Sequence, residues 1–134
     1  MCTAICYRSN DSYFGRNLDL DRGYGESITI TPRNYEIKMR CENPIKSHYA
    51  MIGMASVVEY YPLYYEATNE KGLSMAGLNF PENASYYPFA EGRNNVTPFE
   101  LIPWILAQCA CVDEAKALLE KINLVNTHFS EQLP

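Results

Sequence analysis

The sequence predicts an α+β domain with helices stacked on one face of a mainly antiparallel sheet. Two observations carry this. Short segments of period-two alternation, separated by Gly, Pro, Asn and Ser, occupy roughly the first three quarters of the chain. From Thr97 onwards the pattern changes to capped, 3.6-period apolar stripes. Strand outweighs helix, so one sheet face is expected to be left uncovered.

Residues 2–8 alternate and read as a strand, Ser9-Asn10-Asp11-Ser12 supplies turn chemistry, and residues 13–18 read as the returning strand. A two-residue turn at Asn10-Asp11 sets Ser9 against Ser12 and Asp19 against Cys2. That register places Arg16 on the opposite face from Cys2, unless a bulge near Gly15 breaks the alternation. Residues 22–26 read as a loop, 27–31 as a strand ended by Pro32, 35–40 as a weaker strand, and Asn43-Pro44 as part of a turn. Residues 49–54 read as a buried strand. The aromatic segment 59–65 is expected to break at Pro62.

Residues 67–78 predict a second hairpin, with Gly72 at a positive-φ turn position. Residues 79–95 read as a long loop, a kind of segment that is often functional. Thr97-Pro98-Phe99-Glu100 combines an N-cap, proline at the first helical position and a capping-box Glu. Pro103 is expected to kink or shorten the helix that follows. Asp113 is expected to cap a second helix over 114–122, with Ala115, Leu118, Leu119 and Ile122 as its buried stripe. The tail from residue 123 has little helical period.

A chain of 134 residues suits one domain. Eleven basic and sixteen acidic side chains give a net charge of −5, which argues against a nucleic-acid binder or a polybasic membrane-surface protein. No leader pattern or membrane-length apolar run is present, so a cytoplasmic location without membrane insertion is expected. Five cysteines and two histidines without paired C-x-x-C spacing make a structural zinc site an unsuitable reading. Cys109 and Cys111 read as small packed hydrophobes. No metal or cofactor is expected.

Met1-Cys2 is the chemically distinctive feature. Removal of Met1 leaves one residue carrying both a thiol and an α-amine, whose pKa is about 7.7–8.0. Nucleophile and base then sit on one residue. Against this stands the plain reading of Cys2 as the first apolar residue of a strand.

Five short segments decide between them: Met1-Cys2-Thr3, Phe14-Gly15-Arg16-Asn17-Leu18-Asp19, Thr31-Pro32-Arg33-Asn34-Tyr35, Asn69-Glu70-Lys71-Gly72-Leu73 and Ala76-Gly77-Leu78-Asn79-Phe80-Pro81. In this order and spacing the chain resembles the N-terminal part of the choloylglycine hydrolase family, which comprises conjugated bile acid hydrolases and penicillin V acylases. The resemblance implies an N-terminal-nucleophile hydrolase fold, an αββα sandwich, of which residues 1–134 form the N-terminal part. It implies Cys2 as nucleophile and, through its amine, as base. Arg16 would sit by the thiol, Asp19 would hold the amine, and Asn79 would donate to the oxyanion.

Leu18, Met54, Val58, Tyr61 and Tyr65 match positions lining the family's acyl pocket. Asn at position 79 resembles the bile-acid-type members, whereas penicillin-type members tend to carry Tyr. The expected substrate is therefore an amphipathic acyl amide, a glycine- or taurine-conjugated bile salt. A penicillin V or N-acyl-homoserine-lactone acylase and a non-catalytic fragment are the alternatives. Family members are more than twice as long, and a further Asn and Arg of their sites have no counterpart here. An exposed apolar sheet face follows, covered in a homo-oligomer or by a complementing chain.

Overall fold

The computed structural model describes residues 2–79 and 83–131. Met1, Phe80 and Pro81, which belong to two of the quoted segments, lie outside the described residues. The chain opens with a hairpin of β1 (Thr3–Arg8) and β2 (Ser12–Asn17). A four-stranded antiparallel sheet follows in the order β3 (Glu26–Thr31), β4 (Met51–Val58), β5 (Tyr61–Asn69), β6 (Ser74–Ala76). A short parallel pair, β7 (Asn94–Val96) and β8 (Ile122–Leu124), brackets two helices, α1 (Leu101–Gln108) and α2 (Val112–Leu119).

The β1–β2 register differs from the sequence expectation by one residue. Arg8 pairs with Ser12 and Thr3 with Asn17, so Ser9, Asn10 and Asp11 all belong to the turn. A one-residue slip exchanges the faces of a strand. Arg16 lies opposite Ala4, on the same face as Cys2 one step along the alternation, and no bulge at Gly15 is needed. Asp19 is correspondingly not the cross-strand partner of Cys2.

β4 and β5 form one long hairpin. Its two-residue turn, Glu59 and Tyr60, takes positive φ at both positions (50° and 66°), the backbone that matches strand twist in tight hairpins. Pro62 does not break the segment as expected. It pairs with Val57 beyond the end of β6, whose pairing with β5 covers only Glu66 to Thr68, so its missing N–H removes no ladder bond on that side. Between Met54 and Ala55 the register shifts: Ala55 faces Tyr64, Met54 faces Glu66, and Tyr65 is the extra residue. This bulge lets Tyr64 enter the core while Glu66 reaches the other face. The expected strand over 35–40 reduces to a single bridge between Ile37 and Ile45.

α1 lies against β5 and β6. Met51, Ala55, Tyr64 and Ala67 from the sheet meet Ile102, Ile105 and Leu106 from the helix in the buried core. Each such large side chain contributes about 1.5–3 kcal/mol on burial. Pro103 falls in the first turn of α1, where an N–H has no intrahelical partner anyway. The residues before it, Pro98–Glu100, form a separate 3₁₀ turn.

At the other end of α1, the Asn69 amide donates to the carbonyls of Leu106 and Cys109 at 2.8 and 2.7 Å. Its oxygen accepts from the N–H groups of Lys71 and Leu73. One side chain thus closes both a helix end and the β5–β6 hairpin, whose turn glycine, Gly72, has φ +85°.

α2 begins at Val112 with Cys111 as N-cap, so Asp113 lies inside its first turn rather than capping it. Ala115 and Leu118 are half-buried against the core, Leu119 is exposed, and Ile122 belongs to β8. The loop expected over 79–95 gives up its last two residues to β7. Asn95 anchors its C-terminal part, donating to the carbonyls of Ala90 and Arg93 and accepting from Ala90 N–H and from Asn123.

The sheet face away from the helices exposes Ile28 at 67%, Ile30 at 68% and Ile52 at 48%. That is the uncovered apolar face the strand-rich sequence predicted. No described helix is long and apolar enough to cross a membrane.

Candidate active site

The hairpin and this open sheet face meet at Arg16. Its Nη1 donates to Glu66 Oε2 at 3.0 Å and its Nη2 to the Gly77 carbonyl at 2.8 Å. The Arg16 side chain is only 4% exposed and that of Glu66 19%. Glu66 Oε1 accepts in turn from the Met54 N–H at 3.2 Å, which the bulge makes possible by bringing Glu66 opposite Met54. Arg16 therefore ties β2 to β5 and to the segment after β6 that leads to Asn79.

Cys2 is half-buried, and its thiol lies 3.8 Å from the Asp19 carbonyl oxygen, a weak sulfur contact that keeps the two residues adjacent. The neighbouring Thr3 N–H donates to Asn17 Oδ1 at 2.7 Å, fixing the start of β1 against the end of β2. Cys2 and Asp19 are adjacent at the open end of the hairpin, and Arg16 lies further along β2 opposite Ala4. Asn79 is exposed, two residues beyond the carbonyl that Arg16 holds.

Two cavities flank this region. Leu18 and Met54 line a shallow one of about 280 Å³, together with Leu20, Arg22 and Glu26. Val58 and Tyr65 line a larger one of about 770 Å³, within the usual range for small-molecule sites. Its walls come from β4, β5, the 3₁₀ turn and the tail, with Tyr64, Phe99 and Phe129 among the lining rings. In its wall the Tyr65 and Ser56 hydroxyls are 3.0 Å apart.

Tyr61 lines neither cavity. It packs instead edge-on to Phe99 and tilted against Phe129, at centroid distances of 6.0 and 5.8 Å. Burial, reinforced by the nearby Glu100 carboxylate, pushes its phenol well above the ordinary range. Its ring supports the wall of the larger cavity from behind.

Sequence reasoning missed three contributors. Glu66 was hidden because a bulge sets its face. Arg22, which lines both cavities with its guanidinium 5.1 Å from the Tyr24 ring centroid, sits in a segment read only as loop. Phe129 lies in the tail without helical period. An aromatic residue between the polar residues Asn126-Thr127-His128 and Ser130-Glu131 was the available signal. Among the described residues no group of three or more His, Cys, Asp or Glu side chains could hold a metal ion.

The fold is the N-terminal part of an αββα sandwich. The chain belongs to the linear amide C–N hydrolases of the choloylglycine hydrolase family, whose family model matches residues 2–133. It is 54% identical over 134 residues to a bile salt hydrolase/transferase of Lactiplantibacillus plantarum, covering 100% of this chain and 41% of that protein. A conjugated bile acid hydrolase of Lactobacillus gasseri is 39% identical over 129 residues, covering 94% of this chain and 41% of the relative. The solved structure of the C2A mutant of conjugated bile acid hydrolase from Clostridium perfringens superposes with a TM-score of 0.91 at 34% identity, over 100% of this chain and 42% of that one. Penicillin V acylase from Agrobacterium tumefaciens shares the fold, with a TM-score of 0.69 at 23% identity, over 92% of this chain and 39% of that one. The chain thus spans about two fifths of the length of these relatives.

Proposed function

We propose that this chain carries the nucleophile-bearing part of a site that hydrolyses the amide bond of glycine- or taurine-conjugated bile acids. The observation that carries this reading is the β1–β2 register, which sets Arg16 on the face of Cys2 with Asp19 beside the thiol. Once Met1 is removed, the Cys2 α-amine takes the thiol proton and the thiolate attacks the amide carbonyl. The side-chain amide of Asn79 donates to the resulting oxyanion; loss of such a donor costs about 10²–10³ in rate. The protonated amine then gives its proton to the departing nitrogen, releasing glycine or taurine and leaving an acyl-Cys2 thioester. Water, deprotonated by the same amine, cleaves the thioester to the free bile acid. Transfer of the acyl group to another amine is a side reaction of that intermediate.

Asp19 holds the ammonium form in place. Arg16, fixed by Glu66 and the Gly77 carbonyl, holds the Cys2 side of the hairpin against β5. Leu18, Met54, Val58 and Tyr65 contact the apolar acyl group, and Tyr61 backs the ring wall behind it. The uncovered isoleucine face supports residues 1–134 as one part of a single domain, completed by further chain or by a partner copy. All five cysteines are free thiols, which suits a cytoplasmic location.

The test is intact mass of the purified chain followed by incubation with a glycine-conjugated bile salt. Loss of one methionine, release of glycine and an acyl adduct that disappears in Cys2→Ser are expected. Turnover that survives Cys2→Ser removes the mechanism. Hydrolysis of a phenoxyacetyl amide alone moves the reading to the penicillin V or homoserine-lactone acylases. A processed chain that neither turns over nor acylates is the non-catalytic alternative.

A further inference from the structure

We infer that Arg40, which does not line the larger cavity, is the positioning residue that sets that cavity's aromatic wall. Part of the wall comes from the tail over 126–131, and the Phe129 ring belongs to it. Arg40 Nη2 donates to the Phe129 carbonyl at 3.0 Å. The guanidinium also lies over two rings at once, 5.8 Å from the Phe99 centroid and 5.6 Å from that of Phe129. These two rings meet edge to face at 5.2 Å, and both line the cavity.

Arg40 is itself anchored at its backbone. Its N–H donates at 2.6 Å to Glu100 Oε1, while Glu100 Oε2 accepts from Thr97 N–H at 3.0 Å. Glu100 is 1% exposed, so this carboxylate is a fixed post at the start of the helical segment. The path runs from Glu100 through the Arg40 backbone and guanidinium to the Phe129 carbonyl and ring. Each step joins segments far apart in sequence: 60 residues separate Arg40 from Glu100 and 89 separate it from Phe129. A flat guanidinium suits the task, since it stacks on rings while its in-plane N–H groups reach a carbonyl. Lysine supplies the charge without the fork.

If the wall receives the apolar acyl group, Arg40 determines how much of the time that wall is in place, and apparent affinity scales with that fraction. This consequence rests on the bile-salt reading above; the positioning itself does not. The test compares the full chain with Arg40→Met, Arg40→Lys and Arg33→Met, the last removing an arginine that lines neither cavity. Limited chymotrypsin digestion with mass detection reads cleavage after Phe129, and calorimetric titration with glycocholate reads the cavity.

Arg40→Met is expected to speed release of residues 130–134 and to weaken glycocholate binding about ten-fold. Arg40→Lys should fall between it and the parent, and Arg33→Met should match the parent in both readouts. Equal cleavage of the parent and Arg40→Met overturns the proposal, as does an Arg33→Met variant that loses protection to the same degree. A parent chain that does not bind glycocholate refutes the bile-salt reading, while the cleavage comparison still decides the role of Arg40.

Discussion

Replacing Arg16 by methionine leaves Glu66 facing the open sheet without its cation, and the size of the penalty follows from the burial of the pair. Arg16 is almost wholly buried and Glu66 about four fifths buried, with a 3.0 Å contact between them. Removing one partner of a buried pair costs about 3–5 kcal/mol, and the partial exposure of Glu66 selects the lower end, about 3 kcal/mol. The Gly77 carbonyl also loses its donor, but Gly77 is exposed and water substitutes at little cost. With a urea m-value of about 1.5 kcal/mol/M, the midpoint should fall by about 2 M. The penalty is mainly that of the stranded carboxylate, so Glu66→Leu added to Arg16→Met should recover part of the loss, the remainder reflecting the Met54 N–H left without its acceptor. Urea unfolding of the parent, both single variants and the double variant forms the cycle. A double variant whose loss equals the sum of the single losses refutes the argument, because it shows that the two side chains do not act as a pair.

Asn69→Ala should cost about 3 kcal/mol, since it strands the Leu106 and Cys109 carbonyls and the buried Leu73 N–H together; an unchanged urea midpoint would remove Asn69 from the helix-closing role. Gly53→Ala should cost about 3 kcal/mol, the upper end of overpacking, because a Cβ there would lie 1.9 Å from the Glu66 carbonyl oxygen and 2.6 Å from the Ala67 Cα. A variant as stable as the parent would show that β4 and β5 can separate freely. Glu70 is held at about 2, against an ordinary 4.5, first by its hydrogen bonds from Arg33 and then by the Ala50 N–H. A depressed carboxylate contributes stability above its unfolded pKa and loses it as pH falls through the folded value. Midpoints measured from pH 5 down to pH 2 should therefore decline less steeply in Glu70→Gln, and parallel profiles would count against the pairing.

Much of the strand and helix content was legible because it rests on local chemistry. The Ser27 to Thr31 alternation, the Gly72 turn and the Thr97-Pro98 start depend on residues within a few positions of one another. The candidate site residues were also read locally, from short motifs such as Phe14-Gly15-Arg16-Asn17-Leu18-Asp19. Their relation was not. Whether Arg16 shares a face with Cys2 turned on a two- or three-residue turn, a difference the Ser9-Asn10-Asp11-Ser12 stretch leaves open. Pro62 read as a break because the sequence does not say that β6 stops short of it. The second helix was displaced toward its C-terminus because Ile122 fits a helical stripe and a strand equally well.

The sequence by itself determined the chemical inventory: a cysteine next to Met1, a carboxylate and a guanidinium within one short stretch, and enough strand to leave a sheet face open. Only the tertiary structure decided which groups meet. The hairpin register brought Arg16 to the face of Cys2, the extra residue Tyr65 brought Glu66 across to it, and the fold laid Arg40 against Phe129 across 89 residues. Side-chain alternation is a property of each strand and is written in its residues. Register, bulges and long-range contacts are set by the balance of packing over the whole domain, and no single stretch of chain contains that balance.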